Sequence, residues 1–166
     1  MSRTSNAPPN LVIVNGAAGF VGRAVVSQFL HMGVHVIAMG SPPVAGQGLT
    51  SVPDLAAALA VCAKLRPDAR PAAVVALASA SPLADSAQQQ AVTLGEVLPL
   101  MNTLGGMCRL VAIGSAAEYG LALHEAAVLN ESHPRRPVSA YGQAKAHLMD
   151  QVQTIHDQGV DVLGLR

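Results

Sequence analysis

The sequence has few aromatic and few charged residues. It contains no tryptophan, its two phenylalanines and two tyrosines make up 2% of the chain, and charged residues account for 12%. Ten basic residues balance ten acidic ones, so the formal net charge is zero and nothing indicates a nucleic-acid partner. The hydrophobic fraction of 51% excludes intrinsic disorder. In a chain this poor in aromatics, a buried tyrosine is less expected as mere core filling.

Cysteine and long apolar runs are also scarce. The two thiols, Cys62 and Cys108, form no CxxC pattern, which indicates reduced core residues and no metal site. No apolar run reaches the roughly 18 residues that span a bilayer, and residues 1–10 lack the apolar segment of a secretory signal. We therefore expect a cytoplasmic protein without a membrane segment. Residues 1–10 are expected to form a disordered lead-in, and residues 11–166 a single domain.

Short apolar runs alternate with stretches of helical spacing. Buried strands are predicted at residues 11–14, 34–39, 73–78, 109–113 and 160–165, with a further short strand near 49–52. Helices are predicted over residues 20–32, from Asp54 to about 66, over about 84–104 and over about 139–158. Strands and helices that alternate in this way form a parallel sheet covered on both faces. The predicted fold class is α/β, a doubly wound, Rossmann-like parallel sheet.

A glycine-rich loop joins the first predicted strand to the first helix. Its GxxGxxG pattern provides Gly16 for a tight turn, Gly19 for close approach to a pyrophosphate, and Gly22 for helix–strand packing. The phosphates would lie at the positive end of the helix. An ordinary glycine-rich turn is the alternative, but a strand before and a helix after are the context that dinucleotide binding requires. The predicted cofactor contacts in this loop are Gly16, Ala18, Gly19, Phe20, Val21 and Gly22.

The end of the second predicted strand bears on the choice between NAD and NADP. About 20–25 residues beyond the first glycine, dinucleotide folds usually carry an acidic residue that binds the ribose 2′-hydroxyl. Here that position holds Gly40, followed by Ser41. No carboxylate repels a 2′-phosphate there, and Arg23 could approach one. The pattern slightly favours NADP.

Tyr141 and Lys145 are four residues apart on one predicted helix and therefore share a face. An ordinary phenol, with a pKa near ~10, does not act as a base at neutral pH, but a neighbouring ammonium favours its phenolate form. Ser115 follows a buried strand, at the edge where open α/β sheets bind ligands. Together the three predict acid–base catalysis of hydride transfer between an alcohol carbon and nicotinamide. The YxxxK spacing alone is also typical of a solvated helix face, so the combination carries the prediction.

With these segments the sequence resembles the extended short-chain dehydrogenase/reductases, the NAD(P)-dependent epimerase/dehydratase group that acts largely on nucleotide sugars. The matching segments are residues 14–22 (VNGAAGFVG), 114–120 (GSAAEYG) and 131–145 (ESHPRRPVSAYGQAK). By position, the resemblance implies Ser115, Tyr141 and Lys145 as the catalytic triad, with Tyr141 and Lys145 also in contact with the cofactor. Weaker matches imply further cofactor contacts at Asp54, Leu55, Leu77 and Ala78. The position at the end of the second strand predicts contacts at Gly40 and Ser41 as well.

Departures from the family pattern narrow the expected function. Sugar-nucleotide dehydratases carry an acidic residue within two positions of the active-site hydroxyl, whereas Glu118 comes one position later; this favours an epimerase or reductase. The family chain also continues past Arg166 into a substrate-binding region, which is expected to be absent here. The expected substrate is a small molecule, a nucleotide sugar by resemblance. A non-catalytic dinucleotide-binding module or a fragment of a longer enzyme remain alternatives.

A homodimer is a further implication of the resemblance, because dimers in this family commonly form through helices that include the Tyr/Lys helix. An apolar stripe is present on that predicted helix, and either core packing or a subunit interface would explain it. The stripe consists of Ala144, Leu148, Val152 and Ile155.

Overall fold

Strands and helices alternate along the chain. The computed structural model of the protein describes residues 11–40, 47–65, 71–77, 99, 101–103, 108–120 and 128–166, without the side chains of residues 63 and 65. The strands are β1 (Leu11–Asn15), β2 (His35–Met39), β3 (Leu49–Val52), β4 (Ala73–Ala76), β5 (Arg109–Ile113) and β6 (Val162–Leu165). The helices are α1 (Phe20–His31), α2 (Leu55–Leu65) and α3 (Ala140–Asp157), with a 3-10 turn at Ala116–Glu118.

Part of the sequence prediction lies outside the described residues. This applies to the lead-in predicted at residues 1–10, to Ser41 and Ala78, and to most of the helix predicted over residues 84–104. Residues 99 and 101–103, which fall within that predicted helix, are helical.

The six strands form one sheet in the order β3-β2-β1-β4-β5-β6, and every neighbouring pair is parallel. The chain builds outward from β1 through β2 to β3, and then returns to place β4 on the other side of β1. This reversal of direction is the switch point at which open α/β sheets form a ligand crevice. The predicted doubly wound parallel sheet is confirmed.

Both faces of the sheet are buried. Ile13, Val74 and Leu110 belong to one hydrophobic cluster, which α2 and α3 cover. Val12 and Val14 point to the opposite face, where the cluster includes Val26 of α1. Because successive side chains of a strand alternate between faces, a strand covered on both faces is apolar throughout. This is why β1 has no polar alternation.

The apolar stripe on α3 packs into the core. Leu148 and Val152 are buried members of the larger hydrophobic cluster, and Ile155 packs against it. These three side chains therefore contribute to the core, and Ala144, the fourth residue of the stripe, is half-buried. Cys62 and Cys108 are also buried, and neither belongs to a disulfide.

Two strands begin later than the apolar runs predict. β2 begins at His35 and β6 at Val162, whereas the runs begin at Val34 and Val160. The Val34 N–H donates to the Phe29 carbonyl at 3.0 Å, and the Val160 N–H donates to the Ile155 carbonyl at 3.2 Å. Each N–H thus satisfies a carbonyl left over at the end of the preceding helix, and the sheet starts after it.

No helix that the structure describes is long and apolar enough to cross a bilayer.

Candidate active site

The predicted site residues that the structure describes lie towards the carboxyl edge of the sheet. β1 and β4 end there and are followed directly by Gly16 and Leu77, and Ser115 comes two residues after the end of β5. The Leu77 N–H donates to the Asn15 carbonyl at 3.0 Å, which joins the ends of β1 and β4. The crevice at the switch point therefore lies between these two strand ends.

The glycine loop turns tightly between β1 and α1. Gly16 has a φ of 81°, which favours glycine, and its carbonyl accepts from the Gly19 N–H at 3.0 Å. Gly22 is buried; a Cβ there would overlap the Gly16 carbonyl oxygen and lie 2.9 Å from the Cα of Ala17. The close packing of α1 on the loop thus requires glycine at position 22.

The free edge of this loop has features that fit a diphosphate. Gly19 is the N-cap of α1 and supplies no side-chain cap to the N–H groups of the first turn, and such groups bind anions. Ala18, Gly19, Phe20 and Val21 are exposed, Phe20 at 87%. Beneath the loop, the Nδ2 of buried Asn15 has no hydrogen-bond partner among the described residues. Uncapped N–H groups and an unpartnered amide are the groups that an anion such as a diphosphate would satisfy.

The positions predicted to contact the far end of the cofactor lie at the ends of β2 and β3. Gly40 is exposed with a φ of 93°, and its carbonyl accepts from the Ser51 hydroxyl at 3.0 Å. Asp54 caps α2, because its Oδ1 accepts from the Ala57 N–H at 2.9 Å. Leu55, the first residue of α2, is half-buried. Asp54 therefore has a local role in starting α2 whether or not it contacts a ligand.

Ser115 begins the 3-10 turn after β5. Its Oγ accepts from the Ala117 N–H at 3.2 Å, and its own N–H donates to the Glu118 Oε1 at 2.8 Å. These reciprocal contacts form a capping box. The hydroxyl is half-buried and fixed at the strand end.

Lys145 reaches from α3 to the same strand end. Only 6% of this residue is exposed, and its Nζ donates to the Ile113 carbonyl at 2.9 Å. The Nζ also lies 5.9 Å from the centroid of the Tyr141 ring. Burial lowers the pKa of the Lys145 ammonium, and the charge of Glu118 acts in the opposite direction. A buried cation thus lies beside the phenol, bound to the carbonyl of Ile113, two residues before Ser115 in the chain.

Gly142 allows α3 to approach the turn that carries Ser115. A Cβ on Gly142 would lie 2.5 Å from the Ala117 carbonyl oxygen and 3.2 Å from the Cβ of Pro137. The helix itself begins at a cap, since the Ser139 Oγ accepts from the Gly142 N–H at 3.0 Å. The Ser139 cap and the close packing at Gly142 together determine where Tyr141 and Lys145 lie at the carboxyl edge of the sheet.

Sequence reasoning missed the structural role of Glu118. It considered this residue only as an acid displaced by one position, yet the side chain is fully buried against the Ser115 backbone. The spacing S-x-x-E from Ser115 to Glu118 is a capping-box signal and could have identified the contact.

Comparison with known proteins identifies the family. Residues 12–166 match the family described as the NAD dependent epimerase/dehydratase family. The chain belongs to this family. Several solved structures share the fold of this epimerase/dehydratase family member, and three of them are informative about ligands.

The first is a UDP-glucose 4-epimerase from Thermotoga maritima with UDP-glucose (TM-score 0.73, 21% identity, 94% of this chain and 54% of that chain). The second is the Bordetella bronchiseptica enzyme WbmG with NAD and UDP (TM-score 0.72, 21% identity, 95% and 52%). The third is a short-chain dehydrogenase/reductase superfamily protein from Agrobacterium tumefaciens with bound NAD (TM-score 0.73, 25% identity, 94% and 48%). The family member described here spans about half the length of each.

Proposed function

We propose that this chain binds a nicotinamide dinucleotide and serves an epimerase or reductase that transfers hydride at a hydroxyl or carbonyl carbon. The observation that carries the proposal is the buried Lys145 ammonium, 5.9 Å from the Tyr141 ring centroid and bonded to the end of β5. Holding a cation in such a buried place is costly unless hydrogen bonds and opposite charges compensate it. Its position beside a phenol, hydrogen-bonded to the Ile113 carbonyl two residues before Ser115, supports a role in acid–base chemistry.

The three side chains would divide the proton chemistry among them. Tyr141 would exchange a proton with the substrate oxygen, and Lys145 would place its positive charge beside the Tyr141 ring. Ser115, fixed by its capping box, would hold the same substrate oxygen by a hydrogen bond. Lys145 would also hold the cofactor ribose. When bound, the nicotinamide supplies the hydride acceptor and donor.

The glycine loop would bind the pyrophosphate, for which the cradle at Gly16, Gly19 and Gly22 provides room. Gly40 supports a slight preference for NADP, because no carboxylate at that position repels a 2′-phosphate. Calorimetric titration of the chain with NAD⁺ and, separately, with NADP⁺ decides between the two cofactors.

A nucleotide sugar is the substrate class we propose. Its support comes from similar folds in a structure with UDP-glucose and in one with NAD and UDP. The alanines at positions 116 and 117 support epimerisation or reduction over dehydration. An epimerase returns the hydride and leaves the cofactor unchanged, whereas a reductase consumes it, so net oxidation of NADH or NADPH distinguishes the two.

The variant Tyr141→Phe tests the proposal. It removes one hydroxyl and is expected to lower turnover of a responsive nucleotide sugar by about 10²–10⁴-fold, the usual contribution of a positioned acid–base group. Turnover is measured by NMR for epimerisation and by absorbance for the reduced cofactor. Dinucleotide affinity, measured by calorimetry, is expected to remain close to that of the parent.

Thr50→Val is the matched control, because it also removes a single hydroxyl, one that pairs with the His35 ring between β2 and β3 at 2.9 Å. This variant is expected to keep turnover at the parental order of magnitude. Parental turnover in Tyr141→Phe would contradict the proposed role. A parent chain that binds dinucleotide but converts no nucleotide sugar would instead favour a non-catalytic binding module.

A further inference from the structure

We propose that Arg135 and Arg166 form a charge cluster around the buried Glu118 carboxylate, and that this cluster positions Ser115 and Lys145. Glu118 is then a positioning residue that acts through the two side chains and does not itself touch the substrate. Its relevance to catalysis rests on the proposed function, whereas the cluster itself can be tested in the protein without any ligand.

The Glu118 carboxylate is fully buried at the base of the site. A buried carboxylate is unfavourable unless hydrogen bonds and opposite charges compensate it. Its Oε1 accepts from the Ser115 N–H at 2.8 Å. A Cβ on Gly114 would overlap that oxygen. The absence of a side chain at Gly114 therefore leaves the space that the Glu118 carboxylate occupies.

Two guanidinium groups face the other carboxylate oxygen. The Glu118 Oε2 lies 3.2 Å from Arg166 Nε and 3.7 Å from Arg135 Nη1. The two arginines come from separate parts of the chain, one after β6 and one in the segment before α3. The carboxylate therefore joins three segments that surround the catalytic strand end.

Both arginines have further contacts that fix their positions. Arg135 donates to the Ala146 carbonyl at 2.9 Å and pairs with the Asp150 carboxylate, both on α3. Arg166 donates to the Tyr119 hydroxyl at 3.4 Å and lies 5.9 Å from the centroid of that ring. Since Arg135 binds the helix that carries Lys145, the cluster links Glu118 to the placement of α3.

The carboxylate also acts on Lys145 through its charge. Burial lowers the pKa of Lys145, and the negative charge of Glu118 raises it. The charged and titratable groups around Lys145 are Tyr141 on its own helix and Glu118 on the 3-10 turn, with Arg135 and Arg166 beyond that carboxylate. Glu118 thus helps Lys145 to keep its proton in a buried place.

The test uses the fact that the chain has two lysines, Lys64 and Lys145. In protein labelled with ¹³C at the lysine ε-carbon, NMR titration follows one exposed and one buried ammonium as separate signals. In Glu118→Gln, which keeps shape and removes charge, the pKa of Lys145 is expected to fall below the parental value. The Lys64 signal is expected to stay unchanged.

Asp161→Asn is the matched control. It makes the same carboxylate-to-amide change in an exposed ion pair with Arg109, at the amino ends of β5 and β6. This variant should shift the titration of neither lysine. An unchanged Lys145 titration in Glu118→Gln would overturn the electrostatic part of the proposal, even if the variant were less stable. If Glu118 had only a structural role, its replacement would lower stability but leave the pKa of Lys145 at the parental value.

Hydrogen exchange at the Ser115 amide tests the positioning part. Glu118→Met removes the acceptor and is expected to speed exchange of this amide by about tenfold or more, the loss that a buried hydrogen bond implies. Glu118→Gln retains an acceptor oxygen and is expected to preserve the protection. Equal protection in parent and Glu118→Met would overturn the proposal.

If both Glu118 variants fail to fold, Arg135→Gln keeps the proposal testable, because its side chain is partly exposed. Loss of a cation that neutralises Glu118 is expected to raise the pKa of Lys145, and a fall or no change would overturn the proposal. These readouts require no cofactor. A parent chain that binds no dinucleotide would refute the proposed function and leave the cluster to be judged by its own results.

Discussion

Replacing Gly22 by alanine is expected to abolish dinucleotide binding and to lower the free energy of unfolding by about 3 kcal/mol. The added Cβ would overlap the Gly16 carbonyl oxygen and lie 2.9 Å from the Cα of Ala17. These atoms are backbone of the loop, so they cannot move aside as a flexible side chain would. Either α1 shifts away or the loop opens, and in both cases the cradle for the pyrophosphate is lost. Urea unfolding and calorimetry measure the two effects.

Gly33→Ala is the matched control for this substitution. It adds the same atom near the opposite end of α1, where no heavy atom lies within 4 Å of the added Cβ. Its φ of +74° makes alanine strained, so we expect a loss of about 1 kcal/mol with dinucleotide binding retained. Full dinucleotide affinity in Gly22→Ala would show that the loop is not the pyrophosphate site.

Replacing Lys145 by methionine is expected to lower turnover by about 100-fold or more, because the cation beside Tyr141 is lost. The same substitution is expected to change how stability depends on pH. Burial lowers the pKa of Lys145 in the folded protein, so the unfolded chain binds more protons between that lowered pKa and the ordinary value near ~10.4. The stability of the parent therefore rises with pH through this interval.

Lys145→Met lacks this contribution. The difference in unfolding free energy, parent minus variant, is expected to increase as pH rises towards about 10. Below the lowered pKa both states of the parent carry the proton, so the difference is constant there. Urea unfolding at several pH values measures it, and subtraction of the two proteins cancels groups they share. A flat or falling difference for Lys145→Met would contradict the account.

The fold could be predicted because its parallel sheet is covered on both faces. Such strands carry apolar side chains on both faces, as in residues 11–14 of β1 and 36–39 of β2, and glycines mark the intervening turns. The strand starts were less predictable, since Val34 and Val160 use their N–H groups to close helices. Where each strand starts therefore depends on the hydrogen bonds at the end of the preceding helix, and the apolar character of a residue does not indicate them.

The candidate site was only partly predictable for a similar reason. The helical spacing of Tyr141 and Lys145 and the strand before Ser115 are local, so the sequence predicts their shared edge. The partners of Glu118 are not local, because Arg135 and Arg166 approach it only once α3 and β6 are in place. Charged residues from distant segments that meet around one buried carboxylate leave no periodic pattern in the sequence. The capping-box spacing indicates only the contact between Glu118 and the Ser115 N–H.

The central claim is that this chain holds a nicotinamide dinucleotide at the glycine loop, beside the Ser115, Tyr141 and Lys145 side chains. Calorimetric titration of the folded chain with NAD⁺ and, separately, with NADP⁺ tests it most directly. The account predicts saturable binding of one dinucleotide per chain, with NADP⁺ slightly preferred, and no binding to Gly22→Ala. A folded parent chain that binds neither dinucleotide would contradict it.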